Sequence, residues 1–541
     1  MQLTSKSRTH ISGLVAILFV TFLGAFPRLF FALSSKYPLN DGGMFYVMIR
    51  DLQSASYSLP LYTSYNGGQI PFVYPPLGFY LAGSLSTLLH ISLIDCLRLL
   101  PPVLSILSIP AFFLLSQSLL ENEILASAAS LAFATIPTAF DWDVMGGGLT
   151  RALGLIFALL MLYQIVGLLR NPRAWRILVT AITASATLLS HPSTAWFSAY
   201  SAVILLVAYG RSRKAVGYLF LAGGVTVLLT SPWWLTVIGR YGLLPFVAAS
   251  DNAITPLSSF LAALLLQFPN QPLLEIWSVL GLVGLLLCLK DRKWVLPLWT
   301  LAVALLQGRG WPAFIEVPFA LIVGIALARI LSLVGASAKQ ENTPESLQGW
   351  YEILDGIGAK VGLIYIVGIS LLAAFIAAPK TSLSQSQVDA MTWVSTHTPA
   401  ASKFVVMTGV PDSGSDPVIE WFPAFAQRVS VVTPQGYEWE PHEFARRQAS
   451  DASLQACVTQ TTACLDQWAQ TSGNTLEYIY LDSPASSSLA NSLSASSEFE
   501  SVYCASEAQI FARRSTTSAL QPSGVPLPTS QATVQPCAPT T

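Results

Sequence analysis

The sequence predicts an α-helical polytopic membrane protein that carries a small C-terminal α/β domain outside the cytoplasm, and three observations lead there. Of the 541 residues, 53% are hydrophobic and only 11% charged, with a mean hydropathy of +0.56; soluble domains carry about a quarter charged residues. The apolar residues gather in runs such as 12–33, 98–120, 152–169, 215–236, 274–289 and 361–378, each about long enough to cross a hydrocarbon core of about 30 Å. After Pro379 the composition turns to mixed polar and apolar, as a water-exposed domain requires.

The first element is a basic start, Lys6 and Arg8, ahead of an apolar run with no small-residue cleavage site after it. That pattern predicts an uncleaved first span rather than a signal peptide. The next apolar stretch, Tyr74–Ile91, decides the topology. Taken as a full crossing it would put Arg173 and Arg176 outside and reverse every later loop. Taken as an interfacial or re-entrant helix inside one long first loop, it leaves Arg173/Arg176, Arg211/Arg213/Lys214, Lys290/Arg292/Lys293 and Lys339/Lys360 on the cytoplasmic side. The charge pattern selects the second arrangement and gives about eleven spans. They are expected near 11–33, 98–119, 124–140, 148–169, 177–190, 193–209, 215–236, 272–289, 294–308, 311–333 and 361–378, with 256–267 as a further interfacial helix. The N-terminus is then cytoplasmic and the C-terminal domain extracytoplasmic. A formal net charge of −1 provides no field that would recruit nucleic acid.

The expected domains are a transmembrane part at 1–379, including a first extracytoplasmic loop at 34–97, then an α/β domain at 380–514. A Ser, Thr and Pro-rich tail at 515–541 has the composition of a disordered segment. Within the α/β domain a helix is predicted at Gln385–Ser395 and a strand at Lys403–Thr408. Further strands are predicted at Arg428–Thr433, Leu476–Leu481 and Ala508–Ala512. Cys457, Cys464, Cys504 and Cys537 all follow the last span. Four cysteines in one outer segment point to disulfides in an oxidising compartment, with unpaired thiols as the alternative. Zinc is disfavoured, because neither a CxxC nor a nearby His accompanies the pairs.

Five short motifs offer chemistry. Asn40-Asp41-Gly42-Gly43-Met44-Phe45-Tyr46 places a carboxylate just outside the first span, where Asp41 either takes a proton from an attacking group or is a solvated loop residue before a turn. Phe72-Val73-Tyr74-Pro75-Pro76-Leu77 combines aromatic rings with a Pro pair, suited to a helix start at the membrane–water interface. Asp141-Trp142-Asp143 ahead of Gly146-Gly147-Gly148 and Arg151 can reach one Mg²⁺ or Mn²⁺, with Arg151 meeting a phosphate, or can simply favour a helix start. Arg309, followed by Glu316 and Pro318, stands at an external mouth where it clamps a phosphate or snorkels to headgroups. In the outer domain, Glu420-Trp421 and Glu438-Trp439 pair acids with aromatic rings, which suits sugar stacking or docking onto the membrane part. Tyr46, Tyr74, His191, Trp421 and Glu438 are candidate acceptor or sugar contacts; His191, at a Pro-marked helix break, is first of all a hydrogen-bonded structural residue.

Taken together, a first-loop Asp after span one, a Tyr-Pro-Pro-Leu helix and a span ending in Ile136-Pro137 before acidic residues resemble the GT-C superfamily of membrane glycosyltransferases. Asp41 and Tyr74–Leu77 are similar to features of protein O-mannosyltransferases and aminoarabinose transferases. Asp141-Trp142-Asp143 is similar to the second-loop acidic motif of oligosaccharyltransferase catalytic subunits. The resemblance covers roughly residues 10–335, and it departs where Gly42-Gly43 replaces a second acidic residue. It implies a GT-C-like bundle and inverting transfer of a sugar from a polyprenyl phosphate-type lipid carrier to an acceptor that is protein, lipid or glycan. Asp41 would then be the base or acceptor-orienting residue. Asp141 and Asp143 would hold a divalent metal or the acceptor, and Arg309 and Arg151 the carrier phosphate. The rival expectation is a non-catalytic membrane subunit whose outer domain binds partners or cell-envelope polymers. Convergence of the polar motifs on one place separates the two.

Overall fold

The computed structural model describes residues 5–251, 276–308, 310–335, 356–378, 380–482 and 488–516. Arg309, Cys537, the helix expected at 256–267, Lys339 and nearly all of the tail expected to be disordered lie outside these residues.

Helix α1 (Ser5–Ser34) enters the bundle, and α2 (Gly43–Ser54), a small hairpin of β1 (Tyr62–Thr63) and β2 (Ile70–Pro71), and α3 (Leu77–Leu89) make up the first loop. The bundle continues through α4 (Leu93–Leu120), α5 (Glu123–Thr135), α6 (Gly148–Arg170), α7 (Trp175–Ser190), α8 (Pro192–Tyr209), α9 (Arg213–Tyr241) and the short α10 (Leu244–Asp251). Then come α11 (Ile276–Lys290), α12 (Val295–Leu306), α13 (Trp311–Gly335) and α14 (Ile357–Ala377). Helix starts follow local chemistry. Asn122 Oδ1 accepts from the Ile124 and Leu125 N–H groups at 2.9 and 3.0 Å, two of the donors that a helix N-terminus leaves open. Pro192 in the first turn of α8 needs no such partner.

Among the described residues seven helices, α1, α4, α6, α8, α9, α13 and α14, are long and apolar enough to cross a membrane. The other four expected spans fall on α5, α7, α11 and α12, apolar helices of 13, 16, 15 and 12 residues. A straight crossing needs about 20 residues, so helix length alone does not reach the expected count. Helix α3, the stretch read as interfacial, has 13 residues and lies within the first loop. The most deeply buried helices are α5 and α13. Gly324 of α13 meets the Ala129 backbone of α5 so closely that an added Cβ would stand 2.5 Å from the Ala129 nitrogen. Small residues at a helix contact permit such an approach.

The C-terminal part has a five-stranded sheet in the order β4-β3-β5-β7-β6, made of β3 (Lys403–Met407), β4 (Val429–Ser430), β5 (Tyr478–Asp482), β6 (Phe499–Cys504) and β7 (Ala508–Arg513). Strands β4, β3 and β5 run parallel, while β7 is antiparallel to both β5 and β6. Helices α15 (Gln385–His397), α16 (Pro417–Ala426), α17 (Glu443–Gln455), α18 (Thr462–Ser472) and α19 (Ser488–Ala495) accompany it. The helix expected at Gln385–Ser395 and three of the expected strands lie where the sequence places them. The strand expected at Arg428–Thr433 shrinks to two residues, and β6 was not foreseen. Cys457 and Cys464 form a disulfide with Cα atoms 5.6 Å apart, and Cys504 is also disulfide-bonded.

One hydrophobic cluster joins the two parts. Met44, Phe45, Val47, Met48 and Leu52 of α2 pack with Trp421 and Phe422 of α16 and with the sheet residues Val405 and Ile479. The C-terminal part is therefore continuous with the core of the first loop.

Candidate functional site

The site is built where the first loop meets the turn between α5 and α6. That turn, 136–147, has Pro137 as its second residue, whose missing N–H ends α5, and closes with Gly146 and Gly147 ahead of Gly148, the first residue of α6. Gly146 N–H donates to the Leu39 carbonyl at 2.9 Å. An added Cβ on Gly147 would stand 2.5 Å from Asp41 Oδ2, so a side chain there would displace the carboxylate.

Asp41 is consequently tied on both oxygens. Oδ1 accepts from Gly147 N–H at 2.6 Å, and Oδ2 pairs with Arg151 Nη2 at 2.9 Å. Arg151 is itself aimed by the Trp142 carbonyl, which accepts from Nε at 3.0 Å and Nη2 at 2.7 Å. Arg151 Nη1 has no protein hydrogen-bond partner among the described residues. The Asp41 and Arg151 side chains remain 14% and 22% exposed, so small groups can reach the pair.

Asp141 and Asp143 flank Trp142 and are both buried. Asp141 Oδ1 accepts from Trp142 N–H at 2.7 Å. Burial pushes the Asp143 carboxyl up to about 7; Arg151 draws it down, Asp141 raises it and Arg28 draws it down again. Two buried ionisable side chains grip the same turn from the bundle. Arg28 of α1 donates through Nη1 to the Ala134 carbonyl at 2.6 Å and lies 4.2 Å from the centre of the Phe140 ring. Glu316 of α13 accepts a hydrogen bond from the Thr138 hydroxyl, while its Oε2 has no hydrogen-bond partner among the described residues. The role of Arg28 was missed by sequence reasoning, although an Arg within an apolar span is itself a signal.

Tyr74 sits beneath this centre. Its hydroxyl and that of Thr150 are 3.2 Å apart, and its ring meets Phe45, Phe79 and Trp439 edge-on or tilted. Burial pushes the phenol up to about 12. Glu438 Oε2 accepts from Gly436 N–H at 2.7 Å and lies close enough to act electrostatically on Tyr74.

The remaining candidates are held elsewhere. Trp421 is fully buried, its indole donating to the Asn40 carbonyl at 3.0 Å and its ring stacked on Phe425 at 5.3 Å. It has no free face for a sugar, and docking is what its geometry serves. Tyr46 lies 6.0 Å from the same indole, with Arg50 over its other neighbourhood at 5.6 Å. His191 caps α8, with Nδ1 2.8 Å from the Thr194 hydroxyl.

Asp41, Asp141, Asp143 and Arg151 thus converge on one turn. No group of three or more His, Cys, Asp or Glu side chains among the described residues is arranged to hold a metal ion. Asp41 is already committed to Arg151 and to a backbone amide, so it is not free to ligate a cation in this arrangement. What the centre offers is an oriented carboxylate beside an oriented guanidinium.

No family model and no curated protein matches the chain. Solved structures do. The oligosaccharyltransferase AglB from Archaeoglobus fulgidus, in complex with an inhibitory peptide and dolichol-phosphate, aligns with a TM-score of 0.53 at 12% identity, over 87% of this chain and 69% of that one. ArnT from Cupriavidus metallidurans, bound to undecaprenyl phosphate, aligns with a TM-score of 0.54 at 12% identity, over 94% and 99%. The arabinofuranosyltransferase AftD from Mycobacteria aligns with a TM-score of 0.56 at 15% identity, over 95% of this chain but 40% of that one. All three belong to the GT-C superfamily, so the chain has the GT-C fold. At these identities the likeness shows the fold alone.

Proposed function

We propose that the protein is an inverting membrane glycosyltransferase that moves a sugar from a polyprenyl phosphate-type carrier to an acceptor on the extracytoplasmic face. The observation that carries this reading is Asp41 held on both oxygens by Arg151 and Gly147 at the mouth of a GT-C bundle. Lipid-phosphate carriers bound to ArnT and AglB support the donor class. The convergence of the acidic motifs on Arg151 favours an enzyme over a subunit that only binds partners.

The chemistry needs one displacement. An acceptor hydroxyl oxygen attacks the anomeric carbon, the bond from that carbon to the phosphate oxygen breaks, and its electron pair leaves with the phosphate. Asp41 takes the acceptor proton. Arg151 holds Asp41 oriented before attack, and its unpartnered Nη1 is placed to meet negative charge as the phosphate leaves. Tyr74 and Glu438 supply polar edges for the sugar or acceptor. The basic loops Arg173/Arg176 and Lys290/Arg292/Lys293 support the extracytoplasmic placement.

The test is transfer by the full chain in proteoliposomes, with a panel of undecaprenyl phosphate-linked pentoses and hexoses and soluble glycan or peptide acceptors. Asp41→Asn keeps the shape of the side chain and one of its two accepting positions but turns the other into a donor and removes the base, and should lower turnover by about 100-fold or more. Full activity in that variant refutes the role of Asp41.

A further inference from the structure

Helix α2 starts immediately after Asp41 without a cap of its own. Its N-cap is Gly42, in the left-handed region at φ 115°, and no side chain of the first loop closes the helix. The first N–H groups of any helix lack intrahelical partners and carry the positive end of its dipole. Here the partner arrives from 378 positions away. Glu420 Oε1 accepts from Gly42 N–H at 2.9 Å and from Met44 N–H at 3.4 Å. The Glu420 backbone is fixed in turn, its carbonyl accepting from the Tyr65 hydroxyl at 2.7 Å. On the other side of Asp41, Asn40 is pinned by three bonds to the C-terminal part. Its N–H donates to the Thr381 carbonyl at 2.8 Å, its Nδ2 to the Gly414 carbonyl at 2.8 Å, and its carbonyl accepts from the Trp421 indole at 3.0 Å.

This placement is costly. Glu420 is buried, with Asp41 close enough to repel its charge, so burial and then Asp41 raise its carboxyl above the usual carboxylate range. A hydrophobic side chain would fill the same space without burying a charge, yet it could not accept from Gly42 and Met44. The gain lies in fixing the backbone on which Asp41 sits.

We propose that Glu420 is a positioning residue for Asp41: the C-terminal domain supplies the cap that sets the direction of the Asp41 carboxylate, so the reaction centre is complete only with that domain docked. This rests on the reading of Asp41 as the base. It also assigns the aromatic and acidic segment of α16 to assembling the centre instead of touching sugar.

The experiment compares Glu420→Ala, Glu420→Gln and Glu420→Asp in the full chain in nanodiscs, with two readouts. The first is hydrogen exchange at the Gly42 and Met44 amides. Gln retains the accepting oxygen at the same reach and should keep protection, whereas Asp is one methylene short and Ala has no acceptor, so both should exchange about tenfold faster or more. The second is transfer from the same undecaprenyl phosphate-linked panel. Asp and Ala should lower kcat by about tenfold while KM for the donor stays within about twofold, and Gln should restore most of kcat. Charge-dependent catalysis by Glu420 would instead show Asp active and Gln inactive, which overturns the proposal. Unchanged exchange in both Ala and Asp also overturns it. If Ala fails to fold, the opposed behaviour of Gln and Asp still decides. If the wild type transfers none of the donors, the glycosyltransferase reading fails on its own, and the exchange arm still decides whether Glu420 fixes the loop.

Discussion

Asp41 and Arg151, 110 positions apart, form an ion pair at 2.9 Å in which the guanidinium is also aimed by the Trp142 carbonyl. The planar fork is what allows one side chain to serve both partners. A Lys ammonium is a point charge on a flexible stem and cannot reproduce that geometry. Arg151→Lys should therefore keep the fold and lower turnover by about tenfold to 100-fold, with Arg151→Met lower still. Initial rates in proteoliposomes check this, and a Lys variant as active as wild type would show that charge alone suffices.

Gly43 sets how closely α2 approaches α16. An added Cβ would stand 2.6 Å from the Glu420 carbonyl oxygen and 3.0 Å from the Trp421 Cα, both backbone atoms that cannot swing aside. Gly43→Ala should destabilise the docked state by about 1–3 kcal/mol, since overpacking forces backbone shifts. Thermal unfolding in detergent reads the loss, and limited proteolysis between residues 34 and 97 should show the first loop loosening with it.

Much of the membrane part was legible in the sequence because a span needs only length and apolarity; seven of the eleven expected segments fall on helices long and apolar enough to cross, and four on shorter apolar helices. Helix α2 was not, since seven of its twelve residues are buried against a domain more than 300 positions later in the chain. Local pattern records which residues are apolar and nothing about the partner. Helix α16 left a local trace in Asp416-Pro417, an N-cap followed by a Pro in the first turn, and Asp416 Oδ1 does accept from Val418 N–H at 2.9 Å. For Trp421 and Glu420 the sequence left sugar stacking and docking both open, because the two use the same residue types. Asp41 with Arg151 required the fold: neither residue's neighbours in sequence announce the other.

Arg28 joins three helices through single side-chain bonds, from Nη1 to the Gly24 and Ala134 carbonyls at 2.8 and 2.6 Å and from Nε to the Ser105 hydroxyl at 3.1 Å. Arg28→Met would fill much of the space and remove the donors, leaving the Ala134 carbonyl at the end of α5 unsatisfied at a cost of about 1–3 kcal/mol. Because that carbonyl precedes the turn bearing Asp141 and Asp143, turnover should fall along with stability. Melting temperature and rate, measured on one preparation, check both. A variant that loses stability but keeps its rate would confine Arg28 to holding the bundle.

The C-terminal part should be more stable in mild acid than in mild base. Asp451 is fully buried, with Oδ1 accepting from Gln455 Nε2 at 2.8 Å and Oδ2 unpartnered. Burial pushes its carboxyl up to about 7 and that of Asp416 up to about 6, from 3.8 for both in the open. Between those limits the folded domain holds protons that the unfolded chain has released. Stability is then full below about pH 4, declines as pH rises through this window, and is level above about pH 7. Asp451→Asn keeps the oxygen that accepts from Gln455 and removes the buried charge. It should raise the melting temperature most at about pH 8, less at about pH 5 and little below about pH 4, and flatten the profile between them, leaving the part due to Asp416 and Glu420. Equal shifts at both ends would place the effect in packing and leave the Asp451 proton no part in it.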